Sequence, residues 1–463
     1  MKKIGIVITD GVGFRNFILS DFLTEAEKTF DEVVVLSCLP EAIYSGFLNT
    51  TKVIELPVFQ EAFKTWIFRK AKEVAHLRRH RNNNFGIFDN YNFNKSKAKN
   101  PRGYATRLLY ALTAIFNTEK SISAFNRMQQ ATFKNNPITK GYEELLKAHD
   151  FDILFFTHQR PPFIAPLAYV AKKMKITSCS FIFSWDNLAS KGRMAADFDY
   201  FLVWSDLMQR ELLHFYPHVK KENTAIVGTP QFEPYVLERY ASDQSEFHSL
   251  FNLNPLKKTI CFSCGDIATS PNDELYIETI ANAILEGKIE DVNLVIRTSP
   301  AEDPARFLPI AAKFPFLKWN YPKWELARIG HQEAWSQRFP SVDDVTEMRS
   351  LLEYSHLNIN MLSTMSLDFM QFEKPVINVV FGNQDNNLYD DQRFLEYAHI
   401  INVVKSNAST IAKNKIELIE AINQYLKNPL LQQAQRTNLL QMQVSKPLHG
   451  TGKRIAETLF QWA

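Results

Sequence analysis

Strand-length apolar runs alternate with helix-length amphipathic segments along most of the chain. A first series of apolar runs covers residues 3–9, 32–37, 151–157, 177–183, 200–204 and 223–227, with helical spacing between them at 165–174 and 207–216. A second series covers 259–263, 292–297, 357–360, 375–380 and 400–403, with helices predicted at 273–286, 345–355, 366–372, 391–397 and 415–426. Alternation of this kind predicts parallel sheets with helices on both faces. Two such series predict an α/β protein of two doubly wound, Rossmann-like domains. The pattern breaks near 233–257, where Pro234, a Ser-Asp-Gln-Ser run and Pro255 predict a linker. The domains are thus placed at 1–240 and 255–445, with a final helix within 446–463.

The densest chemistry lies at 358–382, which reads as strand, Ser/Thr turn, short amphipathic helix and second strand. Ser363, Thr364 and Ser366 fall where that helix begins. Free N–H groups and the positive end of the helix dipole make such a place an anion site. Asp368 sits in the first turns of the same helix, within reach of a ribose hydroxyl beside a bound phosphate.

Other candidate loops also follow inferred strands, the edge where open α/β sheets bind ligands. After the first strand come Asp10, Gly11, Gly13 and Arg15. The third glycine of the dinucleotide fingerprint is missing and no acidic residue ends the second strand, so nicotinamide binding is disfavoured. No G-x-x-x-x-G-K-[ST] loop is present either. His158 follows the strand at 151–157, a position suited to acid–base work, with a loop histidine bonded to backbone as the plain alternative. Asp186, Asn187 and Lys191 crowd the turn at 184–192 and suggest a ligand-lining loop. Gly265 follows 259–263 and would admit a phosphate close to the backbone; Arg297 ends 292–297, where its planar fork could pair with a diphosphate or simply form a salt bridge. Residues 382–386 offer a glycine, amides and a carboxylate to sugar hydroxyls.

Composition narrows the classes. The chain has 463 residues, 45% hydrophobic and 22% charged, which is globular and too long for one ordinary core. A net charge of +3 does not suggest nucleic-acid binding overall. No run approaches the ~20 apolar residues of a spanning helix, and the first apolar run is too short for a signal peptide. Cys261 and Cys264 have C-x-x-C spacing, but with no second ligand pair they read as buried strand cysteines in a reducing cytoplasm, as do Cys38 and Cys179. Residues 64–107 stand apart. Their many Lys and Arg face only Glu73 and Asp89 and are interleaved with Trp66, Phe68, Phe85, Phe88, Tyr91, Phe93 and Tyr104. Such a stretch suits an anionic lipid surface or a diphosphate-bearing acceptor, with RNA, or a solvated helix followed by a loose insertion loop near 82–84, as the alternatives.

Taken together, the strand and glycine at 259–265, the strand and arginine at 292–297 and the run 347–382 resemble the GT-B glycosyltransferases of bacterial surface-polysaccharide synthesis, in the UDP-glycosyltransferase and glycogen phosphorylase-like superfamily. Gly11–Asn16, His158 and 185–192 match more loosely. The resemblance implies two Rossmann-like domains facing a cleft, with the closing helix at 453–462 packed back on the first domain. It implies transfer of a sugar from a nucleotide diphosphate donor, a UDP-sugar in the first instance, to a hydroxyl of a carbohydrate or lipid-linked acceptor. On this reading Gly265, Arg297, Ser363 and Thr364 hold the diphosphate, Asp368 stands where many members carry glutamate and holds the ribose, and His158 or Asp10 is the base. Gly11, Gly13, Arg15, Asp186, Asn187 and Lys191 line the acceptor side. No cofactor and no metal are expected, since Asp343-Asp344 and Asp390-Asp391 lack the Asp-x-Asp spacing. The expected location is cytoplasmic, peripheral to the inner face of the membrane. Polyol-phosphate transfer, sugar-nucleotide epimerisation or hydrolysis, and nucleotide-sugar binding without turnover are the rival readings.

Overall fold

The computed structural model describes residues 1–48, 51–382 and 391–463. They form two compact units, one from Met1–Glu233, Leu326–Phe339 and Gln443–Ala463, the other from Pro234–Glu325 and Pro340–Met442.

The first unit is built on seven parallel strands: β1 (Lys3–Ile8), β2 (Glu32–Ser37), β3 (Lys52–Glu55), β4 (Ile153–Phe156), β5 (Thr177–Phe181), β6 (Tyr200–Val203) and β7 (Thr224–Ile226). Their order is β3-β2-β1-β4-β5-β6-β7. Ile4 pairs with Val33 on one side and Ile153 on the other, so β1 is central. Ile4, Ile6, Val7 and Ile8 are all fully buried, the continuous apolar run expected of a strand covered on both faces. Edge strand β3 escapes the sequence pattern because Lys52 and Glu55 flank only two apolar residues.

Between β3 and β4 the chain forms five helices, Phe63–His80, Phe85–Phe93, Pro101–Leu112, Glu119–Ala131 and Pro137–His149. The loose insertion loop expected near 82–84 is instead a single 3₁₀ turn, Arg81–Asn83, followed by a capped helix. The polar residues there are start signals. Asn84, Asn100 and Asn136 each accept a backbone N–H of the first helical turn through the side-chain oxygen, and Pro101 and Pro137 fill the first helical position. The closing helix, Thr451–Trp462, belongs to this unit; Gly452 N–H donates to the buried Glu233 carboxylate at 3.0 Å, and Trp462 stacks on Tyr200.

The second unit has six parallel strands in the order β10-β9-β8-β13-β14-β15. Here β8 is Lys258–Ser263, β9 Val292–Arg297 and β10 Lys318–Asn320; after the short β11 (Trp324–Leu326) and β12 (Arg338–Pro340) come β13 (Leu357–Asn360), β14 (Val376–Val379) and β15 (Thr410–Ala412). Two expectations fail. Residues 400–403 are not a strand but lie in the helix Ala398–Ser406, where Ile400 and Val403, three apart, share its buried face. Residues 391–397 make a 3₁₀ turn, Gln392–Glu396. The polar run at 242–245 begins the helix Gln244–Leu250, with Asp243 and Glu246 forming a capping box.

Two glycines give opposite stability predictions for the first unit. A Cβ on Gly11 would lie 1.6 Å from the Arg338 carbonyl oxygen, whereas one on Gly141, inside an exposed helix, meets nothing within 4 Å. Gly11→Ala should destabilise by about 1–3 kcal/mol in thermal denaturation. Gly141→Ala should stabilise by about 0.5–1 kcal/mol.

Candidate functional site

In the first sheet the strand order reverses between β1 and β4, the place where doubly wound sheets bind ligands. Asp10 follows β1 and His158 follows β4, and the parallel pairing of Val7 with Phe156 brings the two loops side by side. Asp10 caps the helix Gly11–Ile18, its Oδ1 accepting Gly13 N–H at 2.8 Å. Its Oδ2 accepts the Thr9 hydroxyl at 2.8 Å and lies 3.0 Å from His158 Nδ1. Asp10 is fully buried and His158 is 5% exposed. The imidazole is clamped by Phe183, stacked at 3.8 Å between centroids, and by the edge of Trp335. Gly13 allows this approach, since a Cβ there would come within 2.9 Å of Thr157 Oγ1.

The pair has one consistent charge state. Burial pushes the Asp10 carboxyl up, but His158, Gly13 and Thr9 together bring it below its ordinary value. Burial pulls His158 below its ordinary value, and the opposing field of Asp10 does not restore it. At neutral pH Asp10 is therefore ionised and His158 neutral. An ionised carboxylate only accepts hydrogen bonds, so Nδ1 carries the proton and Nε2 the lone pair. Sequence reasoning offered Asp10 and His158 as alternative bases; the structure couples them, with the carboxylate as orienter and the imidazole as the group able to take a proton.

The neighbouring turn is tied to this pair through Gln159, which sequence reasoning did not single out. Its Nε2 donates to Asn187 Oδ1 at 3.0 Å and its Oε1 accepts Phe183 N–H at 3.1 Å. Asp186 in turn accepts Asn187 Nδ2 and pairs with Lys191 at 3.3 Å. Arg15 Nε donates to Asn16. Gly11, Gly13, Arg15, Asp186, Asn187 and Lys191 thus all lie at the carboxyl edge of the first sheet.

In the second sheet the reversal falls between β8 and β13. Gly265 follows β8, and Ser363, Thr364, Ser366 and Asp368 follow β13. Gly265 N–H already donates to Asp273 at 2.9 Å. Burial pushes that carboxyl up to about 8 against hydrogen bonds from Ser270 and Gly265 and the charge of Arg306. Arg297 is not a free cation. Its guanidinium is buried and donates to Asp344 Oδ2 at 2.9 Å and to Asn320, whose amide donates to Glu347. The salt bridge that the sequence left open as the alternative is present, with Asp344, 47 residues further on, a partner that no local pattern reveals.

The Ser/Thr turn is equally organised. Leu362 takes a left-handed backbone, φ 50°, and Ser363 N–H donates to Asn360 Oδ1 at 2.8 Å. The Ser366 hydroxyl is buried among Asn360 and Asn378, part of a polar lattice in which Asn358 also bonds Ser263 and Ser409 bonds Asn378. Met365 N–H donates to Ser363 Oγ, and the N–H groups of Ser366, Leu367 and Asp368 close onto the carbonyls of Ser363 and Thr364. The amides expected to await an anion are thus largely engaged within the turn, and the Ser366 hydroxyl is held by Asn360 and Asn378. Ser363 and Thr364 stay half-buried at the sheet edge, and Asp368 is 4% exposed. Of the turn at 382–386, only Gly382 lies within the described residues. Cys261 and Cys264 are buried, the Cys261 thiol pushed up to about 11 by burial. Among the described residues no three His, Cys, Asp or Glu side chains are grouped to hold a metal ion, and no helix is long and apolar enough to cross a membrane.

Two parallel α/β units, each with its strand order reversed beside the first strand, give this chain the Rossmann-like domains of the GT-B fold. Solved structures of that fold match it over nearly its whole length. A MnaA–UDP co-structure from S. aureus is 11% identical, covers 99% of this chain and 96% of its own, and has a TM-score of 0.54. UDP-GlcNAc 2-epimerase from Methanocaldococcus jannaschii is 11% identical with 100% of both chains covered and a TM-score of 0.52. A glycosyltransferase from Rickettsia africae is 11% identical, covers 99% of this chain and 98% of its own, and has a TM-score of 0.51. No protein-family model matches the chain, and no curated protein matches it in sequence.

The charge state of the pair is open to NMR. His158 should titrate below 6.5, and Asp10→Asn should lower it further by removing the carboxylate that favours the imidazolium. The sign for stability follows: a depressed histidine contributes stability that is present above pH 6.5 and lost as pH falls through its folded value. Titration of His158 above 6.5 would contradict the assignment.

Proposed function

We propose that this chain is a glycosyltransferase that moves a sugar from a nucleotide diphosphate donor, a UDP-sugar in the first instance, to a hydroxyl of a carbohydrate or lipid-linked acceptor in surface polysaccharide or glycolipid synthesis. The observation that carries the reading is the buried Asp10–His158 pair, with a neutral imidazole oriented by an ionised carboxylate at the ligand edge of its sheet. The fold supports a nucleotide-sugar donor: two similar structures are named for UDP or UDP-GlcNAc and a third for glycosyl transfer.

In this mechanism His158 Nε2 accepts the acceptor hydroxyl proton as that oxygen attacks the anomeric carbon of the donor. The bond from that carbon to the diphosphate breaks, and the nucleotide diphosphate leaves with the electron pair. Asp10 favours the imidazolium so formed, the role of the third group in triad-type catalysis. In the second unit the Ser363 and Thr364 hydroxyls are the groups proposed for the diphosphate and Asp368 for the ribose. Arg297 and Ser366 act there as supports, the one bracing the loop after β9 through Asp344 and the other bracing the turn after β13 through its asparagines.

Incubation with UDP-sugars and a hydroxyl acceptor, read by mass spectrometry, should give a glycosylated acceptor and free UDP. A 2-epimer or free sugar with no glycosylated acceptor would overturn the reading. His158→Ala should lower kcat by roughly 10²–10⁴-fold while calorimetry still shows donor binding. Asp368→Asn should weaken nucleotide binding by roughly tenfold, the size expected for a hydrogen bond to a charged group; unchanged affinity would remove Asp368 from the ribose.

A further inference from the structure

The helix Pro101–Leu112 is apolar on both of its faces. Its inner face buries Leu109 and Tyr110, and the Tyr110 hydroxyl donates to the Tyr91 carbonyl at 2.5 Å. Its outer face carries Tyr104, Leu108 and Leu112 at successive i, i+4 positions, 59%, 61% and 42% exposed. The stripe continues past the helix into Ile115 and Phe116, 76% and 49% exposed. Large apolar side chains scattered singly on a surface are ordinary, but five along one line are not.

The segment that carries this stripe is charged with one sign. Residues 90–118 contain no Asp or Glu, while Lys95, Lys97, Lys99, Arg102 and Arg107 cluster at the amino-terminal end of the stripe. Lys95, Lys97, Lys99 and Arg102 are exposed. Arg107 lies over the Tyr104 ring at 4.6 Å, so cation and aromatic share one edge of the patch. A protein partner fits poorly, because the cores of protein interfaces are depleted of lysine. A nucleic acid would gain nothing from Leu108, Leu112 and Ile115. An anionic bilayer satisfies both halves at once: acyl chains accept the aliphatic stripe, headgroup phosphates accept the cations, and Tyr104 and Arg107 suit the boundary between them.

We infer that the Pro101–Leu112 helix and the turn through Phe116 lie in the headgroup region of an anionic membrane, holding the first unit at the lipid surface as a peripheral protein. The inference stands apart from the chemistry proposed for His158, since it needs neither donor nor acceptor.

Co-sedimentation of the full chain with vesicles tests it. Wild type should bind vesicles of phosphatidylglycerol and phosphatidylcholine, release them as salt is raised, and ignore pure phosphatidylcholine. Leu108→Glu with Ile115→Glu should abolish binding without changing the circular dichroism melt, because both side chains are exposed. Lys97→Ala and Lys99→Ala should each weaken binding by roughly fivefold. Failure to bind anionic vesicles, equal binding by the double variant, binding to RNA but not to vesicles, or a dimer in sedimentation velocity that the double variant disperses would each overturn the proposal. Vesicle binding with no sugar transfer would leave it intact and count against the transferase alone.

Discussion

A carboxylate buried at the start of the first helix is the constraint on which the ligand edge of the first sheet depends. Moving such an ion out of water costs several kcal/mol unless donors inside the protein replace the lost water. Asp10 meets this demand with the Gly13 amide, the Thr9 hydroxyl and His158. The same contacts fix the helix start and the tautomer of the imidazole. The glycine belongs to this constraint, since any side chain at 13 would press on Thr157 and open the pair.

The second unit repeats the strand order but uses its reversal point differently. The loops are held by polar side chains turned inward: Asn358, Asn360 and Asn378 bridge neighbouring strands, and Arg297 is locked on Asp344. Buried networks of this kind are rigid when every member is satisfied. Rigidity of this kind would suit the ligand role proposed for Ser363, Thr364 and Asp368.

Strands buried on both faces were legible in the sequence because sheet burial leaves unbroken apolar runs, as in β2 and β4. Short or edge strands such as β3 and β10 were not, since too few of their residues are apolar. The helices between β3 and β4 were hidden behind basic and aromatic composition, although their Asn caps and Pro starts were in plain view. At 400–403 an apolar run of strand length proved to be part of a helix, a distinction that only the three-residue spacing of Ile400 and Val403 carries. Both members of the Asp10–His158 pair were visible singly, but 148 residues separate them, and only the adjacency of β1 and β4 reveals them as one unit. For Arg297 the sequence showed the cation and hid its partner.

A double-mutant cycle on the transfer rate tests the central claim, that Asp10 acts through His158. Coupled groups are non-additive: once the imidazole is gone, its orienter has nothing left to orient. Asp10→Asn in the His158→Ala background should therefore leave kcat close to that of His158→Ala alone, while Asp10→Asn in the native background should lower it by roughly 10²–10⁴-fold. Two full, multiplicative losses would show that the carboxylate and the imidazole work separately and would contradict the account.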